Sequence, residues 1–183
     1  MRKINTSELK SIAPELNSGE RILLNGTIYT ARDAAHKRIF ELLDRGEALP
    51  FALEGAVIYY AGPTGAKDGM AIGSCGPTTS SRMDKFTPRL LDLGLAGIVG
   101  KGERNKAVCE SIRKNGAVYL CAVGGAGALM AKHIIENTVI AFPELGCESI
   151  KKLTVVDMPL TVAVTCRGGN IFEEGRAKYE RKP

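Results

Sequence analysis

The stretch from Leu95 to Val123 constrains the fold more than any other part of the chain. Leu95 to Val99 is a short apolar run of strand character, Gly100-Lys101-Gly102 is a turn, Glu103 to Asn115 has helical spacing, and Ala117 to Val123 is a second strand-like run. A strand, helix and strand in this order form a βαβ crossover, which joins two parallel strands. The 183 residues, 44% of them apolar, suffice for one ordinary globular domain with a real core, so residues 1–183 read as one unit. Tryptophan is absent and 21 residues are glycine, which predicts a core of Val, Ile, Leu and Ala joined by tight turns. The expected class is α/β rather than an all-helical bundle.

Further elements flank this unit. Arg21 to Thr30 reads as extended and broken by Asn25-Gly26, and Ala31 to Leu43 shows helical spacing closed by Arg45-Gly46. Ala56 to Tyr60 is a buried strand ending in Ala-Gly-Pro-Thr-Gly. A helix is expected to begin within Thr78 to Ser81 and to reach Leu93, kinked or split by Pro88. Gly124-Gly125-Ala126-Gly127 leads into a helix from Ala128 to about Glu136. Two strands follow, Leu153 to Val156 and Leu160 to Thr165, separated by Asp157-Met158-Pro159, and the tail from about residue 171 is expected to be weakly ordered.

The formal charge of +5 allows either a nucleic-acid surface or a site for small anions. The basic cluster Arg176, Lys178, Arg181 and Lys182 is interrupted by acidic residues at a chain end, so a solvated tail is the simpler reading and no nucleic-acid partner is expected. The N-terminal 20 residues lack the apolar core of a signal peptide and no run is long enough to span a membrane, so a cytoplasmic protein is expected. The five cysteines, Cys75, Cys109, Cys121, Cys147 and Cys166, lie far apart without zinc-ligand spacing, which argues for reduced side chains, mostly buried.

Three motifs bear charge-recognition chemistry. Gly76-Pro77-Thr78-Thr79-Ser80-Ser81-Arg82 combines a turn, four hydroxyls and an arginine. A helix starting there would offer free N–H groups to a carboxylate and set Thr78 and Arg82 one turn apart on one face; an ordinary N-cap would have the same composition. Arg32 and His36 are spaced i and i+4 at the start of the first helix, where an arginine opposes the dipole unless a carboxylate offsets it; a surface ion pair and a partly buried His36 fit equally well. Lys101, between two glycines after a parallel strand, lies at the edge where open α/β sheets bind ligands, although a solvent-exposed turn lysine has the same pattern. The glycine cluster at 124–127 does not follow G-x-G-x-x-G, and close helix–strand packing explains it more simply than a nucleotide. With two histidines, no Ser-His-Asp set and no P-loop, the chain offers charge recognition but little acid/base chemistry of its own, and the electrophile has to come from elsewhere.

RDAAH at 32–36, YYAGPTG at 59–65, GSCGPTTSSRMD at 73–84, GKG at 100–102 and ELGCESIKKLTVVDMP at 144–159 together resemble the β subunit of the iron–sulfur class of fumarate hydratases, and equally the related tartrate dehydratase β subunit. The resemblance runs in order over roughly residues 15 to 170. It implies a swivelling β/β/α domain with a partly parallel sheet flanked by helices, here a separate polypeptide. It also implies a [4Fe-4S] cluster on a partner α subunit, with none bound by this chain, in a hetero-oligomer such as α2β2. By the same resemblance Thr78 is the catalytic base, Arg32, Arg82 and Lys101 bind the substrate carboxylates, and His36, Thr79 and Gly76 are supporting positions. The implied reaction is reversible dehydration of (S)-malate to fumarate, with tartrate dehydration as the alternative. A non-catalytic dicarboxylate-binding module would use the same cations.

Overall fold

Alternation along the strands decides the layers of this fold. The computed structural model describes residues 1–67 and 69–181. Its strands are β1 (Arg2–Asn5), β2 (Arg21–Thr30), β3 (Val57–Tyr59), β4 (Gly97–Gly100), β5 (Val118–Cys121), β6 (Ile134–Ala141) and β7 (Ile150–Val164). Its α-helices are α1 (Leu9–Ile12), α2 (Asp33–Asp44), α3 (Thr87–Asp92), α4 (Lys106–Lys114), α5 (Gly127–Lys132) and α6 (Ile171–Tyr179). Val57, Tyr59, Val99, Val118, Leu120, Leu153 and Val155 belong to one buried cluster, whereas their neighbours Ile58, Tyr60, Ile98 and Tyr119 pack in a second cluster with Ala35 and Ile39 of α2 and Val108 and Ile112 of α4. Successive side chains of a strand point to opposite faces, so β3, β4, β5 and β7 each contribute to both cores.

The sheet order is β1-β2-β3-β4-β5-β7-β6, and a further β2–β7 pairing closes β2, β3, β4, β5 and β7 into a ring. β2 to β5 run parallel, while β7 is antiparallel to both β5 and β2. The fold is therefore a mixed α/β barrel with helices packed outside it. The crossover read from Leu95 to Val123 is present, with Ile98 beside Tyr119 and Val99 beside Leu120. Proline splits the helical segment after Thr78, as its position predicts: a 3-10 turn covers Ser80–Met83, and Pro88 stands in the first turn of α3, where its missing N–H is harmless.

Three expectations are corrected. The two strands proposed around Asp157-Met158-Pro159 are one, β7, with β2 alongside it from Arg21↔Thr161 to Tyr29↔Lys152. Asp157 takes a positive φ of 50°, its N–H is met by the Asn25 side chain at 2.9 Å, and the register shifts between Leu24 and Gly26. This bulge absorbs the irregularity that the sequence presents as a break. The helix expected to reach Glu136 ends at Lys132, and the chain turns directly into β6 because Ile134–Ala141 can pair with β7. The tail expected to lack order forms α6, capped by the Asn170 side chain on Phe172 N–H at 3.1 Å and tied down by a Ser18–Glu174 hydrogen bond of 2.6 Å. Lys182 of the basic cluster lies outside the described residues.

Candidate active site

Parallel strands deliver their C-terminal ends to one edge, and every sequence-predicted charged residue except the basic tail arrives there. Arg32 follows β2, Gly62 follows β3, Lys101 follows β4 directly, and Gly124 follows β5. The Thr78 segment is laid across these ends by main-chain bonds. Thr78 N–H donates to Tyr60 O at 2.7 Å, Ser80 N–H donates to Lys101 O at 3.0 Å, and single bridges join Ala61 to Pro77 and Thr79 to Lys101. Gly76 lies against the backbone of Gly127, where an added Cβ would stand 3.3 Å from the Gly127 Cα.

These bonds change the picture of the hydroxyl motif. Thr78 precedes the helical turn, so it does not share a helix face with Arg82. The N–H groups of Thr78 and Ser80 are already used by strand-end carbonyls, so these two are not free for an anion. Thr79 occupies the N-cap position without a side-chain capping bond and is exposed, whereas Ser80 is fully buried.

Both arginines are anchored by carboxylates of the same chain. Arg82 donates from Nε and Nη2 to the two oxygens of Asp33, at 3.0 and 2.7 Å, a bidentate pair whose side chains are 48% and 30% exposed. Two of the five donors of Arg82 are thereby fixed, and the rest of the guanidinium faces outward in a defined plane. Arg32, the N-cap residue of α2, approaches Glu148 at 3.6 Å, and Glu148 also accepts the α2 N–H of Ala34 at 2.9 Å. Glu148 thus offsets both the arginine and the positive helix end. The Arg32 Nε is buried without a hydrogen-bond partner, and a Cβ at Gly62 would stand 2.7 Å from its Nη1, so the glycine is what admits the guanidinium.

His36 is not at this edge. It is fully buried between Tyr60 and Phe86, with ring centroids 5.3 and 5.4 Å away, and its Nδ1 is 2.8 Å from the Arg32 carbonyl oxygen. A carbonyl only accepts, so Nδ1 carries a proton. Burial is the main cause that lowers its pKa to about 4. Its contribution to the edge is to hold the main chain of Arg32. A second buried group lies nearby: Arg104 donates from Nε to Asp84 at 2.7 Å and from Nη2 to Thr87 at 2.7 Å, and Thr87 is 2.9 Å from the Tyr60 hydroxyl. Asp84 also accepts the Asn105 N–H at 2.8 Å, which ties the Thr78 segment to the chain beyond Lys101.

All five cysteines are unpaired. Cys75 is buried, and loss of water pushes its thiol up to about 12; Cys147 is exposed, and Cys109, Cys121 and Cys166 are half-buried rather than fully so. Among the described residues no three His, Cys, Asp or Glu side chains come together as a metal site. The scattered cysteines do not fit an iron–sulfur cluster on this chain. The basic tail is partly neutralised, since Arg176 pairs with Glu103, two residues beyond Lys101.

Sequence reasoning missed Asp33, Glu148, Gly62, Ser80 and Tyr119. Asp33 lies inside the RDAAH motif and Glu148 inside ELGCESIKK, so both were visible as motif members but not as anchors. Nothing local pairs Glu148 with Arg32, because their meeting depends on the long-range β2–β7 pairing.

The fumarase C-terminus family model matches residues 2–175. Fumarate hydratase 2 of Leishmania major is 42% identical over 158 residues, which is 85% of this chain and 28% of that protein. The chain accordingly spans less than a third of the fumarate hydratases that it matches. Two relatives are of similar length: a putative L(+)-tartrate dehydratase subunit beta of Methanocaldococcus jannaschii, 40% identical over 94% of this chain and 92% of that protein, and the L(+)-tartrate dehydratase subunit beta of Escherichia coli, 31% identical over 100% and 92%.

Proposed function

The chain belongs to the fumarase C-terminus family, and from that premise we propose that it is the β subunit of a hydro-lyase that interconverts (S)-malate and fumarate. One observation carries the reading: Arg32, Thr78, Arg82 and Lys101, far apart in sequence, meet at a single edge of the barrel. Three cations around a hydroxyl suit a small dicarboxylate, and the two arginines offer the planar donor geometry that a carboxylate accepts.

In this proposal Arg32 and Arg82 hold the substrate carboxylates in place, and Lys101 stabilises the extra negative charge that grows on the carboxylate next to C3 as its proton leaves. Thr78 is the group that takes up that proton. A threonine hydroxyl is too weakly acidic to serve unaided, so a carboxylate of the partner subunit relays the proton. An iron–sulfur cluster on the α subunit would supply the Lewis acidity for the departing hydroxide. The domain, spanning residues 1–183, is of the swivelling β/β/α type and works in a cytoplasmic hetero-oligomer, α2β2, with the shared active site between the subunits. The open edge supports this division, since Arg82 and Thr79 are exposed there. No helix among the described residues is long and apolar enough to cross a membrane.

A second reading, tartrate dehydration, is favoured by the two relatives of matching length, both of which carry that name. Co-expression with a candidate α subunit, anaerobic reconstitution with iron and sulfide, and assay on malate, fumarate and tartrate decide among these. Activity in the mixture alone, reduced roughly a hundredfold or more by Thr78→Ala and by Arg82→Ala, supports the subunit reading and identifies the substrate. Malate bound by the lone chain with no activity in any mixture leaves a dicarboxylate-binding module instead.

A further inference from the structure

Beneath Lys101 lies a buried pair of hydroxyls that the chemistry above leaves unused. Ser80 and Tyr119 are both fully buried, in the layer between the barrel and its helices. The Lys101 N–H donates to Ser80 Oγ at 3.1 Å, Ser80 Oγ and Tyr119 Oη are 2.9 Å apart, and Tyr119 Oη is 2.8 Å from Gly102 O. A tyrosine has one hydroxyl proton, and Gly102 O can only accept, so Tyr119 donates to the carbonyl and Ser80 donates to Tyr119. The order of donors is then Lys101 N–H to Ser80, Ser80 to Tyr119, and Tyr119 to Gly102, a hydrogen-bonded loop that begins and ends on adjacent residues of the same turn. Every proton in it is used once. The Ser80 N–H adds a further bond to Lys101 O at 3.0 Å.

Two independent features fit a built clamp. A Cβ at Gly100 would overlap the Ser80 hydroxyl and approach Tyr60 Cδ2 at 3.2 Å, so only glycine at this point of β4 lets the serine reach the turn. The Arg104 guanidinium lies 5.0 Å from the centre of the Tyr119 ring and 5.4 Å from that of Tyr60, so the tyrosine is itself held in position. Above the turn, the Lys101 side chain passes over Gly124, where a Cβ would be 3.5 Å from its Cδ and 3.8 Å from its Nζ. The clamp fixes where this side chain starts, and Gly124 leaves it a path. Burial pushes the Tyr119 hydroxyl well above its usual range, which keeps it protonated and a donor.

We propose that Ser80 and Tyr119 are positioning residues that fix the turn bearing Lys101, so that its ammonium is pre-set toward the developing charge of the substrate. The inference rests on the hydro-lyase reading for its catalytic meaning, while the clamp itself is a property of this chain. Tyr119→Phe keeps the ring and removes one hydroxyl. In the reconstituted enzyme it lowers kcat about tenfold, with KM within about twofold, because the loss falls on a charge that exists only in the transition state. In a Lys101→Met background the same substitution has no further effect on kcat, since there is no ammonium left to position. In the isolated chain, amide exchange at Lys101 accelerates about tenfold or more in Tyr119→Phe, while Ile98 and Val99 keep their protection. An unchanged kcat, an equal loss of kcat in the Lys101→Met background, or unchanged exchange at Lys101 overturns the proposal. If the wild-type pair is inactive on every substrate, the hydro-lyase reading fails, and the exchange measurement still decides whether the clamp exists.

Discussion

The Arg104–Asp84 pair gives the strongest test of how the site-bearing segments are joined. Its side chains are 0% and 8% exposed and meet at 2.7 Å, and the second carboxylate oxygen of Asp84 accepts the Asn105 N–H at 2.8 Å. Asp84→Asn retains an acceptor for one of those two donors and turns an amide N–H₂ toward the other, leaving the guanidinium charge buried beside Tyr60 and Tyr119 with no counter-charge. Removing one member of a buried pair costs about 3–5 kcal/mol. Arg104→Met strands the carboxylate in turn and falls in the same range, although the thioether packs acceptably against the two rings. The double variant Arg104→Met/Asp84→Asn removes both charges and keeps the Asn105 contact, so its cost is smaller than the sum of the single costs by about 2 kcal/mol. Urea denaturation at pH 7 with a constant m-value measures all three. Single costs below about 1 kcal/mol, or additivity within about 0.5 kcal/mol, would refute the argument that this pair is dry and mutually compensating.

His36 makes stability depend on pH in a definite direction. Its pKa is about 4 in the folded chain against an ordinary value of 6.5, so between these pH values the unfolded chain binds more protons; its contribution is complete above pH 6.5 and is lost as pH falls toward 4. The difference is worth about 3 kcal/mol, and His36→Phe should flatten the stability curve between pH 6.5 and 5, which denaturation at stepped pH reads. Gly62→Ala places a methyl 2.7 Å from Arg32 Nη1 and 2.9 Å from its Cδ, so KM for the dicarboxylate should rise about tenfold or more with little loss of stability, as steady-state kinetics and a melting curve would reveal. Asp33→Asn removes the charge that aligns Arg82 at 2.7 Å; kcat/KM should fall about tenfold, while urea stability changes by less than about 1 kcal/mol because the pair is half-exposed.

The legible parts of the fold were the local ones. The strand, helix and strand from Leu95 to Val123 are close in sequence, and their pattern of apolar residues reports directly on burial. β7 was not legible as one strand because Pro159 and Asp157 carry turn chemistry. That stretch lies between the part of β7 beside β6 and the part beside β5, so β2 is its lone ladder neighbour, and a proline there disturbs less than it would in a fully flanked strand. The three cations of the site and its threonine were visible as motifs, and the structure brings Arg32, Thr78, Arg82 and Lys101 to one edge. Their anchors were not, since Asp33 and Glu148 act on Arg82 and Arg32 through tertiary proximity that no spacing rule encodes. The shared face of Thr78 and Arg82 fails for the same reason: the N–H groups of Thr78 and Ser80 bond to the carbonyls of Tyr60 and Lys101, and the helical turn starts at Ser80, within the range expected from the sequence but past Thr78.

Closure of the barrel through β2 and β7 also orders events during synthesis. β2 to β5 emerge from the ribosome in sequence and can pair as they appear, with β1 and β3 along β2, but the β2–β7 pairing that closes the ring forms only once β7 has been made. Glu148, which neutralises Arg32 and caps α2, immediately precedes β7 and arrives with it. A nascent or truncated chain that ends before this point has its arginine without its counter-charge and its ring unclosed. Under the proposed function, competence to bind a dicarboxylate is therefore acquired late, in the same step that seals the barrel.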